Sequence, residues 1–358
     1  MSCRHSFFYF FVVELFCRQK VFHQLCIVFV AVGGSMLFKW NNLVKLYLFT
    51  YFFSFNVNAA PLPVYQNIFN SVDQAQLTEQ LKLLTGYLPY ELDGMRFSIK
   101  ERYSPKGKAI FRQYWTAYFQ TLGLKVTEQS YKTKYNNGES EGHNLEAILP
   151  GQSADSIVVV VHYDSMGSRG RETQNPGVDD DMTGMAMMLE TARILVPLQH
   201  QMKYTLRFVA TDYEEWGQLE GAVEYSKYLQ NLSQSQNFKI LAVIDNEQSG
   251  WNGGNSTLFD VASFCDSNSS PLLEQFKSVA SDYSAMQIHS FCLKDNSDFA
   301  VFGRLGIPAV VPTEHNPFAN PYFDQNGQDT LEHIDFDYFY HIAQVVVTFT
   351  ATVVGLSN

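Results

Sequence analysis

The chain has 358 residues, 46% of them apolar and 15% aromatic, enough to bury a large core in at most two domains. With 25 basic and 36 acidic residues its formal charge is −11, which disfavours nucleic acid as a partner. Residues 1–59 hold only five of the basic residues and one of the acidic, so the rest of the chain stands at 20 basic against 35 acidic groups, and part of that surplus acid is expected on metal.

Met36 is followed by Lys39 and Lys45, an apolar stretch from Leu46 to Phe55, and the small-residue pattern Val57-Asn58-Ala59. This order reads as a signal peptide over 36–59, with 1–35 as upstream sequence from a start-site error and a mature protein beginning near Ala60. The protein is then secreted or periplasmic, with no stable membrane span in its mature form. The competing reading is a retained anchor over Val21 to Phe38, interrupted by His23 and Gln24. Cys3, Cys17 and Cys26 fall in the discarded segment. Cys265 and Cys292 remain, either as a disulfide or as two buried thiols.

Beyond the leader, Leu77 to Leu88 and Ala109 to Leu122 have the apolar spacing of outer helices, the second stopped by Gly123. Residues 60–90 also suit a propeptide or an N-terminal helix. Leu124 to Tyr131 and Asn144 to Leu149 form an antiparallel pair around the polar loop Asn136 to Glu141, closed by Pro150-Gly151. The unalternating runs Ile157 to Val161, Thr205 to Ala210 and Ile240 to Ile244 are strands buried on both faces. After Asp181, Met185, Met188, Leu189, Ala192 and Leu195 repeat at helical spacing up to Pro197, the methionines serving as core filler. Glu220 to Leu229 and Leu272 to Ala280 supply further helices. Ile307 to Val311 is another short strand, and Phe339 to Val353 an apolar terminal helix or strand. Strands alternating with helices make this α/β, a single domain without repeats.

The three buried runs deliver His162-Tyr163-Asp164, Glu214-Glu215 and Asp245 at their carboxyl ends, where open α/β sheets bind ligands. A lone histidine after a strand is usually structural, but Asp164 stands two residues on, where a carboxylate can fix the imidazole tautomer. Asp179, Asp180 and Asp181 lie between the Pro176-Gly177 turn and an apolar helix, so one aspartate can cap that helix while its neighbour points inward. Glu214 and Glu215, between a strand and Trp216-Gly217, read as one metal ligand and one free base. Strand ends converging on carboxylates need cations, and a two-metal hydrolase provides them.

The ordered series His162-x-Asp164, Asp180-Asp181-x-x-Gly184, Glu214-Glu215, Asp245 resembles the zinc aminopeptidases of metallopeptidase clan MH, of the leucyl aminopeptidase and aminopeptidase Y type. The clan also holds glutamate carboxypeptidases and glutaminyl cyclases. The likeness runs from about Arg96 to the C-terminus. Asn144, Gly306-Ile307-Pro308-Ala309, Asp329-Thr330 and Ile334-Asp335 are similar to further landmarks. The resemblance implies a central mixed, mostly parallel sheet flanked by helices, and two zinc ions about 3.5 Å apart. It implies that His162 and Asp245 hold one zinc, Glu215 helps hold the other, and Asp180 bridges them, being chosen over Asp179 because it precedes Asp181-x-x-Gly184. Glu214 would be the general base, Asp164 would orient His162, and the Asp180–Asp181 peptide would be cis. The implied activity is removal of N-terminal residues from peptides by a monomer, with a metal-bridging water activated by Glu214.

The chain departs from the pattern twice. Where relatives carry a histidine shortly before Asp-Thr, this chain reads Asn320-Pro321-Tyr322-Phe323-Asp324-Gln325, and Asp324 is the preferred zinc ligand over Gln325 because a carboxylate binds zinc better than an amide oxygen. His315 and His333 are alternatives without the family's spacing. The usual Ser-Asp-His is Ser297-Asp298-Phe299. The Asp324 departure keeps a non-catalytic zinc-binding relative open, and the shared scaffold keeps two further alternatives: another exopeptidase such as a carboxypeptidase, and a glutaminyl-peptide cyclotransferase with one zinc.

Overall fold

A computed structural model describes residues 62–134, 141–166, 175–215, 219–322 and 328–357. The stretches read as upstream sequence (1–35) and signal peptide (36–59), together with Asp324 and Gln325, lie outside the described residues.

Two helices open the described chain, α1 (Pro63–Ser71) and α2 (Gln74–Leu84), the second capped by Asp73, whose carboxylate accepts from the main-chain N–H groups of Ala75 and Gln76. Leu77, Leu81 and Leu84 of α2 form a buried stripe at helical spacing. With Ile68 and Val72 they belong to the principal core, and Asp73 N donates to Glu190 Oε1 at 2.8 Å, so this stretch packs as part of the body. A short hairpin follows, β1 (Tyr90–Leu92) and β2 (Met95–Phe97), turning through Asp93 and Gly94 at φ 53° and 74°, the left-handed pair that an Asp-Gly turn favours. Then come α3 (Pro105–Thr121), β3 (Lys125–Lys132), β4 (Glu141–Leu149), β5 (Ser153–His162), α4 (Met182–Leu195), β6 (Tyr204–Thr211), α5 (Glu220–Gln236) and β7 (Ile240–Asp245). The remainder is β8 (Leu258–Phe264), α6 (Ser270–Tyr283), β9 (Gln287–Leu293), α7 (Phe299–Arg304), β10 (Ala309–Glu314) and α8 (Phe336–Val354).

Eight strands form one sheet in the order β3-β4-β6-β5-β7-β10-β8-β9. The centre, β6-β5-β7-β10, is parallel; β4 and β8 run against it on either side, and β9 lies parallel to β8 at the edge. This is the mixed α/β sheet that the resemblance implies. Strand β5 shows why its run is unalternating: Ile157, Val159 and Val161 enter the core shared with α4 and α8, while Val158 and Val160 enter the opposite core with α5 and α7. The parallel centre sends the carboxyl ends of β5, β6, β7 and β10 to one edge, where the acidic residues collect.

The segment expected as a terminal helix or strand is the helix α8, buried nearly all round. Its valines and threonines favour strands, and packing against α1, α4 and α6 overrides that preference. Cys265 and Cys292 are joined as a disulfide that ties the end of β8 to β9. Among the described residues no helix is long and apolar enough to cross a membrane.

Candidate metal centre

His162 ends β5 with its side chain almost wholly enclosed. Its Nδ1 lies 3.1 Å from the main-chain carbonyl of Asp164, while the Asp164 carboxylate stays 3.6 Å away. A carbonyl can only accept, so Nδ1 carries the proton and Nε2 is the ring's lone-pair atom in the neutral tautomer. That Nε2 faces Asp180 Oδ1 at 3.0 Å. Asp164, expected to orient His162, thus meets the ring most closely through its main-chain carbonyl, with its carboxylate also nearby. Its carboxylate does something else: Oδ1 accepts from Glu214 N at 3.0 Å and Oδ2 from Glu215 N at 3.2 Å, clamping the turn after β6 to the end of β5.

The three adjacent aspartates divide their work. Asp181 caps α4 through a bond from Gly184 N, and Gly184 is required there because a Cβ would stand 2.5 Å from Asn246 O. Asp179 turns away and accepts from Ser249 N and Gly250 N at 3.0 and 2.7 Å and from Asn320 Nδ2 at 3.1 Å. Asp180 points inward, its Oδ1 on His162 and its Oδ2 accepting from Gln248 Nε2 at 2.8 Å. The Asp180–Asp181 peptide is cis. Asp329 reaches across to hold this loop, accepting from the N–H groups of Asp179 and Asp180 at 2.7 and 2.9 Å.

At the ends of the central strands, among the described residues, ligand atoms of His162, Asp180 and Glu247 converge within 4.8 Å of one another. Glu247 was not singled out by the sequence. It lies two residues beyond Asp245, so the two side chains share one side of the extended chain leaving β7. Asp245, expected as the ligand beside His162, does not belong to that converging trio: its Oδ2 accepts from Phe299 N at 2.7 Å and from the Ser297 hydroxyl, which also bonds Glu247. The altered Ser297-Asp298-Phe299 motif thus acts as a clamp on the two acids, with Asp298 bonded to the Thr211 hydroxyl. Glu215 is also outside the trio, its Oε1 accepting from Met166 N at 3.1 Å.

Electrostatics point to a cation. Burial pushes the carboxyls of Glu214, Glu215, Asp181 and Asp245 well above the usual range, and their acidic neighbours push further. Burial and the charge of Asp180 bring Glu247 up to about 7 even though His162 pulls the other way, and burial brings Asp298 to about 6. Burial works against a charged His162, but Glu214, Asp164 and Asp180 hold the imidazole well above its ordinary value. Asp181 Oδ2, Asp245 Oδ1 and Asp298 Oδ1 are buried without a hydrogen-bond partner among the described residues. One imidazole with a fixed tautomer, converging carboxylates and orphaned acid oxygens fit zinc.

Buried Arg102 donates to the carbonyls of Tyr163 and Gly177 at 2.8 and 2.9 Å and to that of Pro176, tying the aspartate loop to the end of β5. No periodic pattern marked this arginine. Gly177, at φ +51°, is packed so closely that a Cβ would meet Arg102 Nη2 at 2.5 Å. Arg102→Ala is expected to lower stability by about 3 kcal/mol or more, since three buried acceptors lose their donor at roughly 1–3 kcal/mol each. A denaturant midpoint lowered at constant slope is the readout, and an unchanged midpoint would show that the loop stands without this tie.

Residues 144–350 match the model of peptidase family M28. A "Probable leucine aminopeptidase" of Trichophyton verrucosum is 28% identical over 244 residues, covering 64% of this chain and 62% of the relative. "Leucine aminopeptidase 1" of Blastomyces gilchristii is 28% identical over 213 residues, covering 57% and 54%. The chain thus spans less than two thirds of the length of these curated relatives. Among solved structures, the Legionella pneumophila LapA aminopeptidase superposes with a TM-score of 0.63 at 16% identity, covering 82% of this chain and 75% of that one. The Macrostomum lignano glutaminyl cyclase superposes with a TM-score of 0.66 at 18% identity, covering 82% and 93%. At these identities the likeness is one of fold.

Proposed function

The chain belongs to peptidase family M28, and from that premise we propose that it is an exported zinc aminopeptidase that removes N-terminal residues from peptides. The observation that carries this reading is the placement of Glu214. Its main chain is fixed by Asp164, and its half-buried carboxyl feels His162, Glu247 and Asp180, the residues whose ligand atoms converge beside it.

His162, Asp180 and Glu247 would hold zinc, with Glu215 and Asp245 from the sequence-derived set beside them and Asp324 as the further ligand of a second ion. Zinc, when bound, supplies Lewis-acid polarisation of the scissile carbonyl and lowers the pKa of water. Glu214 takes a proton from the attacking water and returns it to the leaving amine. The surplus of carboxylates around it favours the cationic amino terminus of a peptide over a blocked end. The Cys265–Cys292 bridge supports an oxidising destination, in line with export.

The test is hydrolysis of an aminoacyl 4-nitroanilide by the purified protein, with its N-acetylated analogue and a chelator as controls. Release is expected only from the free amine, to disappear with the chelator and to return with zinc. Equal cleavage of the blocked substrate would remove the exopeptidase assignment, and cyclisation of an N-terminal glutamine in place of hydrolysis would make the protein a cyclase.

A further inference from the structure

Asp260, His289 and His315 meet at the same sheet edge but on other strands. Asp260 lies on β8, directly opposite His289 on β9 and Thr313 on β10, and His315 follows β10 by one residue. His162 on β5 is three strand positions away, roughly 14 Å at the usual strand spacing, and the two clusters share no residue. The three side chains offer one carboxylate oxygen and two ring nitrogens, all within 4.8 Å of one another.

We infer that Asp260, His289 and His315 form a separate binding site for a zinc-class divalent ion. Asp260 Oδ1 lies 2.7 Å from His315 Nδ1 and 3.3 Å from His289 Nδ1. Two ligands on a tetrahedral zinc, each at about 2.1 Å, stand ~3.4 Å apart, so the His289 pair already has the separation and the His315 pair would open by about 0.7 Å. The two rings stand at 86° with centroids 6.1 Å apart, which lets each aim one nitrogen at a common point without stacking. Two imidazoles and a carboxylate select late first-row ions such as zinc over magnesium or calcium, which prefer an all-oxygen shell. The cluster is open to solvent on the side of His289, whose side chain is 58% exposed.

The supporting contacts suit a ligand set. The second oxygen of Asp260, Oδ2, accepts from Asn316 N at 3.1 Å, which fixes the carboxylate plane and leaves Oδ1 for the centre. His315 N donates to the Tyr338 hydroxyl at 3.0 Å, and that hydroxyl donates to Leu258 O at 2.7 Å, so one tyrosine anchors the main chain beside two of the ligands. The disulfide from Cys265 to Cys292 holds β9, an edge strand with a single neighbour, to β8 at the far end of the same ladder. A bound ion would pin its other end. The alternative is that both rings donate hydrogen bonds to one carboxylate oxygen with no role for metal.

The experiment uses the full chain, stripped with a chelator, recharged with zinc and dialysed against metal-free buffer, beside His289→Ala and His315→Ala. Each variant is expected to retain one zinc equivalent per chain fewer than the parent with an unchanged far-UV circular dichroism spectrum, and His289→Ala to keep 4-nitroanilide hydrolysis within about twofold. In a chain whose catalytic trio is broken by Glu247→Ala, cobalt should still give a visible d–d band that His315→Ala abolishes. Equal zinc content in parent and variants, or a cobalt band indifferent to His315→Ala, overturns the inference. Should an alanine variant fail to fold, Asp260→Asn is measured in its place with the same two outcomes. The count is independent of whether the protein proves to be an aminopeptidase, because absent hydrolysis leaves the difference in bound zinc unchanged.

Discussion

Replacing Glu214 by Gln is expected to lower turnover by roughly 10²–10⁴-fold, the ordinary size of a general-base contribution, while leaving the zinc content as it was. The substitution keeps the side chain's shape, and the main chain at this position is held by Asp164 whether or not the side chain is charged. Stability should not suffer, because burial and the nearby charges of Glu247, Asp298 and Asp180 oppose a negative charge on Glu214 and outweigh the opposite pull of His162. The neighbouring Glu215 provides the control. Its Oε1 accepts from Met166 N, and Glu215→Gln can keep that bond with its amide oxygen, so a fall in metal content there with no such fall at Glu214 would separate ligand from base. Unchanged turnover of Glu214→Gln on an aminoacyl 4-nitroanilide would remove Glu214 from the mechanism.

What the sequence could reveal followed from periodicity. The runs at 157–161, 205–210 and 240–244 are legible because strands buried on both faces are mostly apolar, the second admitting Arg207 because it pairs with Glu146, and each does lead to acids at the functional edge. Strands β8 and β9 left no such signature. The first is broken by Asp260 and Ser263, and the second, Gln287 to Leu293, lies at the sheet edge and is half solvated, so pairing with neighbours decides its conformation. That one of the three adjacent aspartates caps α4 was readable because capping is local chemistry, whereas the choice of Asp180 as the inward one came from the family resemblance. Arg102 was not, since its three acceptors belong to segments more than sixty residues away. Glu247 was hidden by Asp245: the first acid after an apolar run attracts the ligand assignment, although a residue two positions on points to the same side.

That last pair sets the most discriminating prediction. As a direct ligand Glu247 should matter more than Asp245, which is held by Ser297 and Phe299 at one oxygen and keeps the other buried and unpartnered among the described residues. Glu247→Ala removes one of three converging donors, and the chain should lose at least one zinc equivalent on dialysis, with hydrolysis falling below about 1% of the parent because Lewis-acid chemistry goes with the ion. Asp245→Asn keeps the size of the side chain and an oxygen for Phe299 N, so its expected cost is that of an orienting partner, roughly 10–100-fold in affinity or activity, with zinc still bound at saturating concentration. The two acids sit close enough to share the Ser297 hydroxyl, and their effects should therefore not add in the double variant. If Asp245→Asn emptied the centre while Glu247→Ala retained its zinc, the orphaned oxygen of Asp245 would be the ligand, and Glu247 the residue that positions it.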